Sequence, residues 1–399
     1  GIYSGAIAIG TGTTFKYSSS ANQTLQTGVI SGAGNLTKDT DASSVLTLTA
    51  TNTYTGVTTI NAGTLSVATI GSGGVAGNLG QATNSATNIV LGGGTLKYTG
   101  STASIDRAFT ISAGTIGTID VPSGVTLSLP GATGTATSGG LTKTNSGTLT
   151  LSGINTYTGA TTISAGTLTV SGTLADTTAV TVSSGTTYNV NASDTIGSLA
   201  GAGTVQTSGT VTLTSGGDNT STTFSGVIQN GSGTLSLTKS GTGTLALSGS
   251  NTYTGVTTIS GGTLSVATIG DGGVAGNLGQ ATNSATNIVL GGGTLKYTGS
   301  TASTNRAFTI SNSTTGTFEV STAATDLTIS GAVASTTGAL TKTGSGRLIL
   351  SGTNLYTGAT TISEGVLRAS NASALGTTAS GTTVANGAAL EITTTINAE

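Results

Sequence analysis

Four pairs of leucines share one spacing, i and i+19: Leu46 and Leu65, Leu149 and Leu168, Leu245 and Leu264, Leu348 and Leu367. A step of about 20 residues that keeps returning is the signature of a β-solenoid coil. An inward side chain there stacks over its equivalent one turn later. These eight leucines are therefore expected to be stacked core residues, in coils of about 20 residues. The local pattern agrees. Runs such as Leu149-Thr-Leu151, Thr167-Leu-Thr-Val170 and Val180-Thr-Val182 alternate apolar with hydroxyl residues. Period two sends Leu, Val and Ile inward and Thr and Ser outward. Between the runs lie Gly, Asn, Ser-Gly and Ala-Gly clusters, suited to tight corners and to positive φ. No stretch holds an apolar period of 3.6, so the expected class is all-β.

A second period is longer. Asn-Thr-Tyr-Thr-Gly occurs at 52–56, 155–159 and 251–255, and Asn-Leu-Tyr-Thr-Gly at 354–358. Tyr54 and Tyr253 stand at i and i+199, as do Tyr157 and Tyr356. Segment 52–100 recurs at 251–299 with three changes: Asn61 to Ser260, Ala62 to Gly261 and Ser72 to Asp271. The expected organisation is thus two long units, 1–199 and 200–399, continuous with each other and each built of two diverged halves. Tyr54, Gly56, Tyr157, Gly159, Tyr253, Gly255, Tyr356 and Gly358 are expected to be structural repeat turns. The competing all-β architectures fit less well. A single sandwich of this length would be too large, and an array of separate domains would need linkers that the sequence does not show. With a strand spacing of about 4.8 Å, a continuous solenoid would be a rod roughly 95 Å long.

Composition then removes most chemistry. The chain has no Cys, His, Met or Trp. It therefore holds no Ser-His-Asp or Cys-His nucleophile, no zinc site of the usual ligands and no disulfide. Net charge is −2 and charged residues are 6% of the chain, with the basic ones scattered singly. That excludes the clustered cations of a nucleic-acid surface. Positive mean hydropathy and low net charge set it apart from a disordered linker. No apolar run is long enough for a membrane-spanning helix. Neither an initiator Met nor a signal peptide is present, and the expectation is a segment of something longer.

The frame around each tyrosine is longer than the turn. Around Tyr157 it reads Leu141-Thr-Lys143, Gly147-Thr-Leu149-Thr-Leu151, Asn155-Thr-Tyr157-Thr-Gly159, Thr161-Thr-Ile163 and Gly166-Thr-Leu168; it returns over Leu237–Leu264 and Leu340–Leu367. In this order the motifs resemble the autotransporter-associated β-strand repeat of passenger regions in Gram-negative type V secreted proteins. The resemblance implies a right-handed parallel β-helix on the bacterial surface, exported through an outer-membrane β-barrel. It also implies an adhesive or structural role.

Each candidate site has a plain structural alternative. The tyrosine turn could stack on a sugar face, but its presence in every frame suits a corner residue. Lys97-Tyr98 and Lys296-Tyr297 duplicate, as do Arg107 and Arg306, whereas Asp106 becomes Asn305; paired acid–base chemistry is not expected. Gly270-Asp271-Gly272-Gly273 has the wrong order for a calcium roll. Rows of outward Thr could order ice, or simply make a soluble strand with few charges. Catalytic residues, metal and cofactors are therefore all expected to be none. The expected function is a structural extracellular rod or filament segment whose partners are further copies of the same repeat or protein, end to end. The alternative is an adhesin whose lateral surface binds surface glycans or host proteins. A polysaccharide-active enzyme and an ice-binding protein rank behind both.

Overall fold

The computed structural model describes residues 1–396. The chain divides into two compact units, Gly1–Ala192 and Ser193–Glu399. Each is a stack of short strands joined in parallel ladders, a β-solenoid. Two short 3-10 turns, Ala86–Asn88 and Ala285–Asn287, interrupt the strands.

The leucine pairs are ladder partners. Leu46 lies beside Leu65, Leu149 beside Leu168, Leu245 beside Leu264 and Leu348 beside Leu367, and all eight are buried. Burying a leucine side chain contributes about 1.5–3 kcal/mol, and here each one has its partner as an apolar neighbour. In the first unit the ladder continues through Leu96 and Ile119; in the second it continues through Leu295 and Phe318.

Coil length is less uniform than the repeated leucine spacing suggests. The mean is about 22 residues per turn. Steps of 19 belong to the frames. Steps of 23 and 24 carry Leu96 to Ile119 and Ile119 to Lys143. The longest steps take Leu65 to Leu96 and Leu264 to Leu295. These long coils contain an excursion over residues 68–88 and its duplicate over 267–287.

The frames also change face. In the first unit Thr58–Ile60 stacks on Asn35–Lys38 and carries Ile89–Leu91. The equivalent strand of the second frame, Thr161–Ile163, stacks instead on Gly140–Thr144, above Ile116–Asp120 and Thr95–Tyr98. That is the face on which the first frame has Thr64–Val67. On that face Gly117 crosses close to Leu91 of the neighbouring column. A Cβ there would lie 2.5 Å from the Leu91 Cβ, so only glycine lets the strand pass. The second unit repeats the change of face, with Gly316 close over Leu290 at 2.6 Å. Gly117→Ala should therefore overpack this crossing and cost about 1–3 kcal/mol. A lowered urea midpoint would show it; an unchanged midpoint would mean the crossing is not tight.

Candidate functional site

The most elaborate chemistry in the molecule is buried, and it recurs in every frame. Asn52, Asn155, Asn251 and Asn354 lie inside. Each side-chain carbonyl accepts a backbone N–H from the coil below: Ile30 at 2.8 Å, Ala132 at 2.9 Å, Ile228 at 2.8 Å and Val333 at 3.0 Å. Each side-chain amide donates to a carbonyl of the chain above: Asn78, Thr173, Asn277 and Ala374, at 2.7, 3.0, 2.8 and 2.6 Å. One residue thus ties three successive levels. It satisfies backbone groups that the corner leaves without ladder partners.

Two residues on, the tyrosine points to the same side. Tyr54, Tyr157, Tyr253 and Tyr356 are buried, and each hydroxyl shares a hydrogen bond with the threonine four residues later: Thr58, Thr161, Thr257 and Thr360, at 2.6–2.7 Å. Burial pushes the Tyr54 and Tyr253 phenols up to about 12. With the rings inside, no aromatic face is open to a pyranose. The glycine that ends the turn does not supply positive φ. Gly56, Gly159, Gly255 and Gly358 instead permit close approach. A Cβ would fall 2.2–2.4 Å from a carbonyl oxygen of the coil below. The left-handed corner comes one strand later, at Gly63, Gly166, Gly262 and Gly365.

Four lysines complete the set, and a buried role for them was not expected from the sequence. Lys38, Lys143, Lys239 and Lys342 are buried. Lys143 Nζ donates to the carbonyls of Thr144, Asn145 and Ala165 at 2.7, 2.7 and 3.3 Å. Lys342 does the same with Thr343, Gly344 and Glu364. Lys239 bonds the Ser240 and Gly241 carbonyls, and Lys38 reaches the Thr40 carbonyl and the Ser44 hydroxyl. Burial lowers the Lys143 and Lys342 amines to about 8, against the weaker pull of Asp120 on the first and of Glu364 and Glu319 on the second. The signal was available. Strand alternation in Leu141-Thr142-Lys143 puts the lysine on the same side as the leucine.

Outside, the two units carry the same threonine ladder. In the first, Thr64, Thr95, Thr118, Thr142, Thr162 and Thr181 follow one another coil by coil. In the second the sequence runs Thr244, Thr263, Thr294, Thr317, Thr341, Thr361 and Thr383. The neighbouring outward rank is not all hydroxyl. It carries Lys97 beside Asp120 and Lys296 beside Glu319. Sparse charges meet across coils in this way. Lys296 and Glu319 form an ion pair at 2.7 Å, Lys16 pairs with Asp39, and Arg347 with Asp326 at 3.0 Å. Glu391 lies between Arg347 at 3.2 Å and Arg368 at 2.7 Å. Among the described residues no group of three or more His, Cys, Asp or Glu could hold a metal ion. Lys97 and Lys296 sit on strand faces, while Arg107 and Arg306 are buried under the excursions, so these duplicated cations do not converge on one groove.

The four frames match the passenger-associated-transport-repeat family over residues 43–67, 141–170, 237–266 and 340–369. They are passenger-associated-transport repeats. Their matched spans run from the strand before the asparagine clamp, or from the lysine strand, to the strand after the left-handed glycine. The chain is also 44% identical over 352 residues, 86% of its length, to the protein described as "Adhesin BmaC autotransporter" from Brucella suis biovar 1 (strain 1330). It spans about a tenth of that relative. No solved structure matches the chain. This is an autotransporter passenger repeat region, and the buried Asn, Tyr, Thr and Lys recur in each of its four frames.

Proposed function

We propose that this region is a structural stretch of a surface passenger, a fibre or stalk segment that lies outside a Gram-negative cell after export through an outer-membrane barrel. The observation that carries the reading is the asparagine clamp, which binds three levels in each of four frames. Internal bonding of that kind resists separation of coils. A non-enzymatic role accords with this, because the basic and acidic residues pair along the strands rather than gather in a groove. Its partners in this reading are further copies of the repeat, within a longer chain or end to end. A strand ladder is an edge that another strand can extend.

The second reading is an adhesin whose lateral surface binds glycans or host proteins. It is favoured by the printed description of the Brucella suis relative. The isolated chain, tested on glycan arrays and on cells beside electron microscopy of the same preparation, separates the two. Unattached, thread-like particles are expected. Saturable binding by the isolated chain would replace the stalk reading with the adhesin.

A further inference from the structure

The two excursions, 68–88 and 267–287, are almost the same sequence and are not fastened in the same way. Both are wired to their coils by an asparagine. Asn78 accepts from the Ala68 and Thr69 amides and donates to the Ala50 carbonyl. Asn277 accepts from the Ala267 and Thr268 amides and donates to the Gly249 carbonyl. Both also overlie a buried arginine. Both are tied as well by the residue before that arginine, the Gly73 amide donating to Asp106 Oδ1 at 2.7 Å and the Gly272 amide to Asn305 Oδ1 at 2.8 Å; the difference lies in the arginines themselves.

Arg306 spreads its guanidinium over four carbonyls of its excursion. Nε donates to Gly270 at 2.8 Å and Nη1 to Ala281 at 3.3 Å. Nη2 donates to Val274 at 3.2 Å and Gly279 at 2.7 Å. Arg107 reaches one carbonyl, that of Leu79, through Nη1 at 2.9 Å; its Nε and Nη2 are buried without a partner. The residue two before the arginine differs. Thr304 donates its hydroxyl to the Gly270 carbonyl at 3.0 Å and accepts from the Arg306 amide at 3.1 Å. The hydroxyl and the guanidinium thus converge on one oxygen. The corresponding residue is Ile105, which has no hydroxyl to give.

Ile105 also faces solvent-accessible space. Beside the first excursion, Thr69, Gly71, Tyr98, Ser101, Ala103 and Ile105 line an open groove of about 250 Å³.

The geometry assigns to Arg306 and Thr304 the role of a latch. We infer that excursion 267–287 is locked to its coil, while 68–88 is a strap that Ile105 holds unlatched and that opens far more readily. Opening would widen the groove that Tyr98 and Ile105 line beside this strap. A buried guanidinium with free donors is costly, and a hydrogen bond from a charged donor is among the stronger ones. The latched arrangement therefore holds the lower free energy for its loop.

Hydrogen exchange on the full chain tests this. Over 70–82 and 269–281 the two loops share a sequence apart from Ser72 and Asp271, so their intrinsic exchange rates are nearly matched. Amides of 70–82 should exchange about tenfold or more faster than those of 269–281, a difference in local opening. Ile105→Thr should slow the first loop toward the second, and Thr304→Ile should speed the second toward the first. Ile105→Thr introduces the residue that its sister copy carries, and Thr304→Ile reads the same latch from the other side. Equal exchange of the two loops in the native chain overturns the proposal. So does an Asp271→Ser variant that erases the difference while Thr304→Ile leaves it intact.

Discussion

Asn251→Leu should be among the most damaging single substitutions in the second unit, costing about 2–5 kcal/mol. Leucine fits the volume but neither accepts nor donates. The Ile228 N–H and the Asn277 carbonyl, now held at 2.8 Å each, would be left in the interior. Each orphaned buried group costs about 1–3 kcal/mol. The damage should also travel, because Asn277 is the next link. Its own amide holds the Gly249 carbonyl at 2.9 Å. Combining Asn251→Leu with Asn277→Leu should then cost less than the two single losses added together, as coupled neighbours do. Ser265→Ala, on the outward rank of the same coil, should stay within about 0.5 kcal/mol. Urea unfolding followed by far-ultraviolet circular dichroism gives the comparison. Equal midpoints for Asn251→Leu and Ser265→Ala would mean that the clamp is not a clamp.

This polar interior explains how much could be read from sequence. The leucine ladder was legible because a stacked core repeats its own spacing; Leu149 over Leu168 follows from that spacing alone. The strand class followed from alternation. The buried Asn and Lys were less visible, because the parity that places Leu141 inside also places Lys143 inside, and a charged residue is conventionally assigned to the surface. Its backbone carbonyl partners belong to corners whose geometry is not a property of residue type. The change of face was not legible at all. It depends on how long the corners between strands are, and on a close approach such as that of Gly117 to Leu91, which belongs to an earlier coil and another column. The arginine latch was hidden for the opposite reason. Arg107 and Arg306 sit in near-identical sequence, and their different bonding turns on Ile105 against Thr304.

Thermal stability should rise as pH increases from about 8 to about 10 and fall again above that. Ordinary lysine titrates near 10.4, whereas burial lowers Lys143 and Lys342 to about 8 and lowers Lys38 and Lys239 in the same direction. Between the folded and unfolded values the unfolded chain binds more protons, so stability increases with pH through that window. Below about 8 the lysines are charged in both states and the contribution is flat. Tyrosine reverses the slope. An exposed phenol ionises near 10, but Tyr54 and Tyr253 hold their protons to about 12, and burial raises Tyr98 and Tyr297 as well. Above pH 10 the unfolded chain therefore binds fewer protons than the folded one, and stability drops. A maximum near pH 10 is unusual, since proteins most often peak between about 5 and 8. Unfolding midpoints between pH 7 and 11.5 should trace it, with a rise of several degrees on the acid side. Replacing Lys143 and Lys342 together by Met should flatten that rise and leave the alkaline fall in place, since the tyrosines are untouched. A native profile that falls steadily from pH 8 would show that the four amines are not buried as charges.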